Sequence, residues 1–178
     1  MTNKKQTQKT PQTKQSGKKR KPVKSRRRQP RKKSEFDDSV LEIRRVTRVV
    51  AGGKRFSFRA TVVIGNRKGV VGIGVGKGLD VADSIRKARH TAEKNKITVN
   101  LKDDRTVPYE VESKYGAAEV RLKPAKEGHG LIAGGAARVV LDLAGVRDIS
   151  AKIIGRTNNK LNNARATLKA LQIFKKTS

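Results

Sequence analysis

The chain has 178 residues, with 44 Lys+Arg against 15 Asp+Glu and a formal net charge of +29. Self-repulsion at that charge opposes compaction, so a polyanionic partner is expected, and nucleic acid is the polyanion whose phosphates release counterions on meeting Lys and Arg. Cysteine is absent and aromatics are 3% of residues, which excludes a disulfide framework and Cys-based metal sites and leaves little for base-stacking platforms.

Residues 1–33 hold fifteen Lys or Arg and no acid. A segment this polar cannot bury enough surface to offset its ordering entropy, so it reads as a disordered basic arm (residues 1–35) that lies along nucleic-acid backbone. It has no apolar h-region and is not a secretory signal, and no later apolar run nears the roughly 20 residues of a membrane span. Residues 34–178 still carry +14, so the folded part is basic in its own right.

A first folded unit, residues 36–102, opens with a β-branched strand at 40–50 (VLEIRRVTRVV), followed by a glycine turn at 51–55 (AGGKR). A second strand at 56–64 alternates: Phe56, Phe58, Ala60, Val62 and Ile64 share one face, and Ser57, Arg59, Thr61 and Val63 the other. GNRKG (65–69) is a hairpin loop. The third strand, GVVGIGVGKG (69–78), puts Val71, Ile73 and Val75 on one face and Gly72, Gly74 and Gly76 on the other. A helix follows, with Asp80 as N-cap, Asp83 completing a capping box, and an apolar stripe of Val81, Ile85, Ala88 and Ala92. Arg86, Lys87 and Arg89 lie off that stripe and stay available to a ligand. The unit is thus a three-stranded antiparallel sheet with one helix on one face.

The glycine strand invites comparison with phosphate-binding loops, and the spacing excludes both common ones. Gly76-Lys77 is followed by glycine rather than Ser or Thr, and position 71, where a Walker loop needs glycine, is Val. The dinucleotide pattern G-x-G-x-x-G meets Lys77 or Leu79 at its last position. Two readings of Gly72 and Gly74 stay open: a face stripped for a ligand, or tight packing inside the protein. Lys77, just ahead of a helix, suits a phosphate, because a lysine there opposes the helix dipole unless an anion is present.

The second unit, residues 103–174, begins after a turn at Asp103-Asp104. Strand-like runs at 107–114 and 117–123 are joined at Tyr115-Gly116. Residues 130–145 contain a helix with Val139, Val140 and Leu143 inward and Gly145 as its stop. Residues 147–155 form a strand with Ile149, Ala151 and Ile153 on one face. Asn158 or Asn159 caps a last helix with a stripe of Leu161, Ala164, Leu168 and Leu171, and 175–178 is a tail. This order is an α+β two-layer unit. Glu127 and His129 flank Gly128, but no nucleophile or orienting third group accompanies them, so no enzyme activity is expected. The sequence presents no metal or cofactor set.

A strand, a GxG-Lys turn and a basic helix resemble the double-stranded RNA-binding fold, which reads shape and phosphate. VTRVVAGGKRFSF (46–58) with VGIGVGKGLDVADSIRKA (71–88) is similar to the N-terminal domain of the fifth protein of the bacterial small ribosomal subunit. PAKEGHGLIAGG, RVVLDLAGVRD, KIIGRTN and NNARAT resemble the C-terminal domain of the same family, so only the basic arm lies outside the resemblance. That resemblance implies a left-handed crossover in the second unit. It also implies a structural role in the small subunit: binding 16S rRNA, holding the fourth and eighth proteins of that subunit, and supporting translational accuracy and mRNA passage in the cytoplasm. Its rRNA surface would fall on Arg44, Arg45, Thr47, Arg48, Gly52, Gly53, Lys54, Arg55, Arg59, Arg67, Lys68, Lys77, Arg86 and Arg89. The loop 126–138, with Lys126, Glu127, Gly128, Gly130 and Arg138, would meet the fourth protein, and the second unit with its C-terminal helix the eighth. Where the family often carries a basic residue before the paired glycines, this chain has Ala51. A rival reading with the same charge and fold is a free-standing RNA-binding protein.

Overall fold

The structure is a computed structural model that describes residues 35–103 and 105–174; residues 1–34 of the basic arm, Asp104 and the tail at 175–178 lie outside the described residues. Four strands, β1 (Asp37–Val50), β2 (Gly53–Gly65), β3 (Val70–Gly78) and β4 (Lys96–Thr98), form an antiparallel sheet in that order. The sequence reading has three strands. The fourth is a short return segment after the helix that pairs Ile97 with Val71 and covers part of the free edge of β3, whose backbone groups would otherwise lack partners.

Helix α1 (Val81–Lys94) lies on the glycine face of β3. A Cβ added to Gly74 would lie 2.0 Å from the Ala88 carbonyl oxygen and 2.3 Å from the Ala92 nitrogen; one on Gly76 would lie 2.3 Å from the Ala88 nitrogen. Strand and helix backbones are therefore in direct contact, and of the two readings of the glycines internal packing is the one observed. The contact selects small residues on the helix as well: Ser84, Ala88 and Ala92 are buried, Ile85 packs from the side, and Val81 is exposed. The predicted stripe is thus displaced onto Ser84, because a larger side chain would not fit against bare backbone. The capping box does not form. Asp80 occupies the N-cap position without a side-chain hydrogen bond. Asp83 instead pairs with Arg86 and, at 2.7 Å, with Lys87, the helical neighbours three and four residues on.

The second half contains β5 (Val111–Tyr115), β6 (Ala118–Pro124), β7 (Leu131–Ile132), α2 (Gly135–Ala144), β8 (Ile149–Ile153) and α3 (Lys160–Ile173). Its sheet runs β5-β6-β8-β7, with β7 and β8 parallel and the other pairs antiparallel. β5 starts later than the run at 107–114: Val107 is buried without joining a ladder, and Pro108 has no N–H to give one. Gly145 ends α2 in the left-handed region at φ 89°, and Asn159 caps α3 by accepting from the Leu161 N–H at 3.1 Å. The α3 face is broader than the predicted stripe: Asn163, Ala166, Thr167 and Ala170 join Ala164 and Leu171 as buried residues.

β2 alternates as expected, and the alternation serves two cores. Ala60, Val62 and Ile64 pack with Ala88 and Ala92 under α1. Val63, Val71 and Ile73, on the opposite face, join one continuous cluster with Val140, Leu141 and Leu143 of α2 and Ala166, Ala170 and Leu171 of α3. The first sheet is thereby covered on one face by α1 and on the other by the second half of the chain.

Candidate nucleic-acid interface

β3 ends at Gly78, opposite Phe58, so residues 53–57 of β2 pair only with β1. The two longest strands continue past the sheet as a two-stranded ribbon, closed by the turn Ala51-Gly52 between the paired Val50 and Gly53. The turn is tighter than a 51–55 loop. Gly53 sits at φ 140°, where L side chains are rare, and nothing lies within 4 Å of a Cβ at Gly52 or Gly53. The tip is open on all sides.

Register sorts the basic residues by face. Directly opposed residues of an antiparallel pair share a face and lie close together. Arg44 opposes Arg59, Arg59 opposes Lys77 on the other side, and Arg48 opposes Arg55. These five cations share the face away from α1. Arg45, Thr47 and Lys54 lie on the other face, where the Arg45 guanidinium stands 4.7 Å from the centre of the Phe56 ring. Arg44 pairs with Glu42 at 2.8 Å. Like charges placed opposite one another destabilise a sheet unless a counter-charge lies nearby. Lys77 belongs to this row of cations, because strand alternation points the lysine away from α1.

Arg67, Arg86 and Arg89 also have partners within the chain. Arg67 adopts φ 54° in the β2–β3 loop and donates its N–H to the Leu143 carbonyl at 3.0 Å, while Gly69 donates to Ala144 at 2.9 Å. The loop thus satisfies carbonyls at the C-terminal end of α2, which have no partner in their own helix. The Arg67 side chain lies 3.5 Å from Asp37 and 3.8 Å from Asp142. Lys68 remains exposed beside it. Arg86 is tied to Asp83, and Arg89 lies 3.3 Å from Asp38 and 3.6 Å from Glu93. The Asp83 carboxyl is held below the usual carboxylate range, first by its hydrogen bond from Lys87 and then by that from Arg86.

The segment 126–138, which includes β7 and the first turn of α2 and so is not all loop, is exposed at Lys126, Glu127, Gly128 and Arg138, and Gly128 and Gly130 adopt φ 78° and 75°. It is anchored by two residues that sequence reading missed. Buried Asp148 accepts from the Gly130 N–H at 2.8 Å, and Arg105 spans from Asp148, at 3.1 Å, to Glu127. Glu127 is therefore an ion-pair partner, not half of an acid–base pair with His129. No local periodicity links positions 105, 127 and 148; only the fold assembles them.

The comparisons with known proteins agree with this architecture. The model of "Ribosomal protein S5, N-terminal domain" matches residues 36–100, and that of "Ribosomal protein S5, C-terminal domain" matches residues 113–177. The chain is 50% identical over 143 residues to the small ribosomal subunit protein uS5 of Campylobacter jejuni (strain RM1221), covering 80% of this chain and 96% of the relative. It is 49% identical over 144 residues to the small ribosomal subunit protein uS5c of Cyanophora paradoxa, covering 81% and 85%, respectively. A uS5c of Spinacia oleracea is 50% identical over 80% of this chain and 46% of its own length. The chain belongs to the ribosomal protein S5 family.

Proposed function

We propose that this protein is a structural constituent of the small ribosomal subunit that binds 16S rRNA through the β1–β2 ribbon, positions protein neighbours through its second half, and catalyses nothing. The observation that carries the proposal is the row of opposed cations on the ribbon and the adjoining sheet, Arg44–Arg59–Lys77 and Arg48–Arg55, which phosphate would relieve. Arg45, Thr47, Lys54 and the open Gly52-Gly53 tip add donors and close backbone approach, so Ala51 at the tip leaves phosphate contact to its neighbours. Lys68 extends the surface; Arg67, Arg86 and Arg89 support it mainly by holding the fold together.

In this reading residues 36–102 are the RNA-facing unit and residues 103–174 the protein-facing unit, flanked by the basic arm at 1–35 and the tail at 175–178. The anchored segment at 126–138 offers a preformed surface to the fourth protein of the small subunit, and the second unit with α3 offers one to the eighth. Acting in the cytoplasm on the ribosome, the chain would influence decoding accuracy and mRNA passage by fixing RNA and protein near the mRNA path. Sucrose-gradient fractionation of native lysate tests the proposal. The expected result is one copy per small subunit, retained through a high-salt wash. Recovery at the top of the gradient would instead favour a free-standing RNA-binding protein.

A further inference from the structure

Among the described residues β1 has a strand neighbour on one side only, so its other side is a free edge. A bulge at Val40/Glu42 interrupts the ladder, and the regular part of that edge runs from Glu42 to Val50. The tight turn at Ala51-Gly52 makes Val50 and Gly53 a hydrogen-bonded pair, and bonded and unbonded pairs then alternate along the ribbon. Arg48, Val46 and Arg44 therefore bond to β2. Val49, Thr47, Arg45 and Ile43 turn their N–H and C=O groups outward, and none of the four makes a backbone hydrogen bond elsewhere among the described residues. Such a row is a template for one more strand.

The side chains along the edge define what can pair with it. Arg44, Arg45 and Arg48 are exposed, and so are the apolar Ile43, at 44%, and Val49, at 73%. Arg45 and Arg48 make no ion pair among the described residues, and Arg44 has Glu42 beside it. A second copy of β1 laid antiparallel on this edge and centred on Val46 would set Arg44 against Arg48 at both ends, and like charges directly opposed are destabilising. Phosphate accepts hydrogen bonds and so can meet the arginines and the outward N–H groups, but it has nothing to donate to the outward carbonyls. A polypeptide strand meets both rows, and carboxylates on it meet the arginines.

We propose that the outer edge of β1, from Ile43 to Val49, takes an acidic, extended segment of another protein as an added antiparallel strand. Carboxylates lie opposite Arg44, Arg45 and Arg48, and apolar side chains opposite Ile43, Val46 and Val49. Backbone bonds supply the affinity and the arginines the selectivity, since they repel a second copy of β1 and attract an acidic partner. The added strand occupies Arg44 and Arg48 and so holds the ribbon apart from other polyanions while it is bound. The proposal stands on the edge itself and not on RNA binding by the ribbon.

The test uses the full chain and a synthetic peptide written from the register, acetyl-Ser-Val-Glu-Thr-Val-Glu-Glu-Val-Ser-amide, whose central residues, Val to Val, lie opposite Val49 to Ile43. With the peptide at about ten times its Kd, amide exchange at Ile43, Arg45, Thr47 and Val49 is expected to slow about tenfold. Arg44, Val46 and Arg48, already bonded to β2, should change less. A second peptide, N-methylated at the residues opposite those four, keeps the charge but cannot pair, and it should give no slowing. Equal slowing by both peptides, or by neither, overturns the proposal. The charge requirement is tested with Arg44→Glu/Arg45→Glu/Arg48→Glu, its ribbon checked by retained protection of the amides bonded between β1 and β2. This variant should reject the acidic peptide and take the peptide with Lys in place of Glu; indifference to the swap counts against the proposal. Slowing of the same four amides by a 16S rRNA transcript but not by the peptide would assign the edge to RNA and overturn the proposal, while leaving the ribosomal reading intact.

Discussion

Replacing Gly74 with alanine is the sharpest test of what the glycine strand does. The added methyl would sit 2.0 Å from the Ala88 carbonyl oxygen, 2.3 Å from the Ala92 nitrogen and 2.9 Å from the Ala92 Cα. All three are backbone atoms of α1, so no side-chain rotation relieves the overlap. Ordinary contact begins near 3.4 Å, so α1 must withdraw by about 1.4 Å. A gap of even 0.5–1 Å forfeits a quarter to a half of each dispersion contact it opens, and here the gap opens over Ala60, Val62, Ile64, Ala88 and Ala92 together. The expected cost is about 3 kcal/mol, the upper part of the overpacking range. With a urea slope of about 2 kcal/mol per molar, the midpoint falls by about 1.5 M. Gly52→Ala is the control, since nothing lies within 4 Å of a Cβ there, and it should move the midpoint little. A Gly74→Ala protein with an unchanged urea midpoint but lost RNA binding would refute the packing account and revive the phosphate-cradle reading.

Asn159→Ala removes the side-chain acceptor of the Leu161 N–H and should cost about 1 kcal/mol by chemical denaturation, a value that α3 shares with other capped helices. Arg105→Ala leaves the buried carboxylate of Asp148 without its cation. Because Arg105 keeps a 26% exposed side chain, the expected loss is about 2 kcal/mol rather than the 3–5 of a fully buried pair. Faster amide exchange at Gly130 should accompany it. Asp83 has a folded pKa depressed by Lys87 and Arg86. Its contribution is therefore fully present above its unfolded value of about 3.9 and is lost as pH falls through the lower folded value. Comparing acid unfolding of the parent with Asp83→Asn checks the sign: the difference between them should shrink toward low pH, and growth of that difference would contradict it.

Much of the fold was legible because it depends on local pattern. Strand alternation in residues 56–64 and glycine alternation in residues 72–76 depend only on the two-residue period of a strand, and both appear in the structure. The stop at Gly145 and the cap at Asn159 were readable for the same reason, since each acts on backbone groups within a turn. The stripe of α1 was misread at Val81 because a helical wheel ranks residues by hydrophobicity, whereas the glycine strand opposite selects by size. The candidate site was half legible. Charge and the glycine turn pointed to the ribbon, but a list of arginines does not say which already have carboxylates.

By itself the sequence determined that the chain is a polycation, that its elements follow a strand–strand–strand–helix and a strand–strand–helix–strand–helix order apart from the short β4 and β7, and that no nucleotide-loop spacing is present. Those are properties of composition and of neighbours within a few residues. Tertiary structure alone decided that Arg67 and Arg89 meet acids distant along the chain, that Arg44, Arg59 and Lys77 line up across three strands, and that Arg105 joins Asp148 to Glu127. The physical reason is the range of the interactions. Backbone preference and side-chain period act over single turns, while a charge is neutralised by whatever the fold brings within a few ångströms, however distant along the chain.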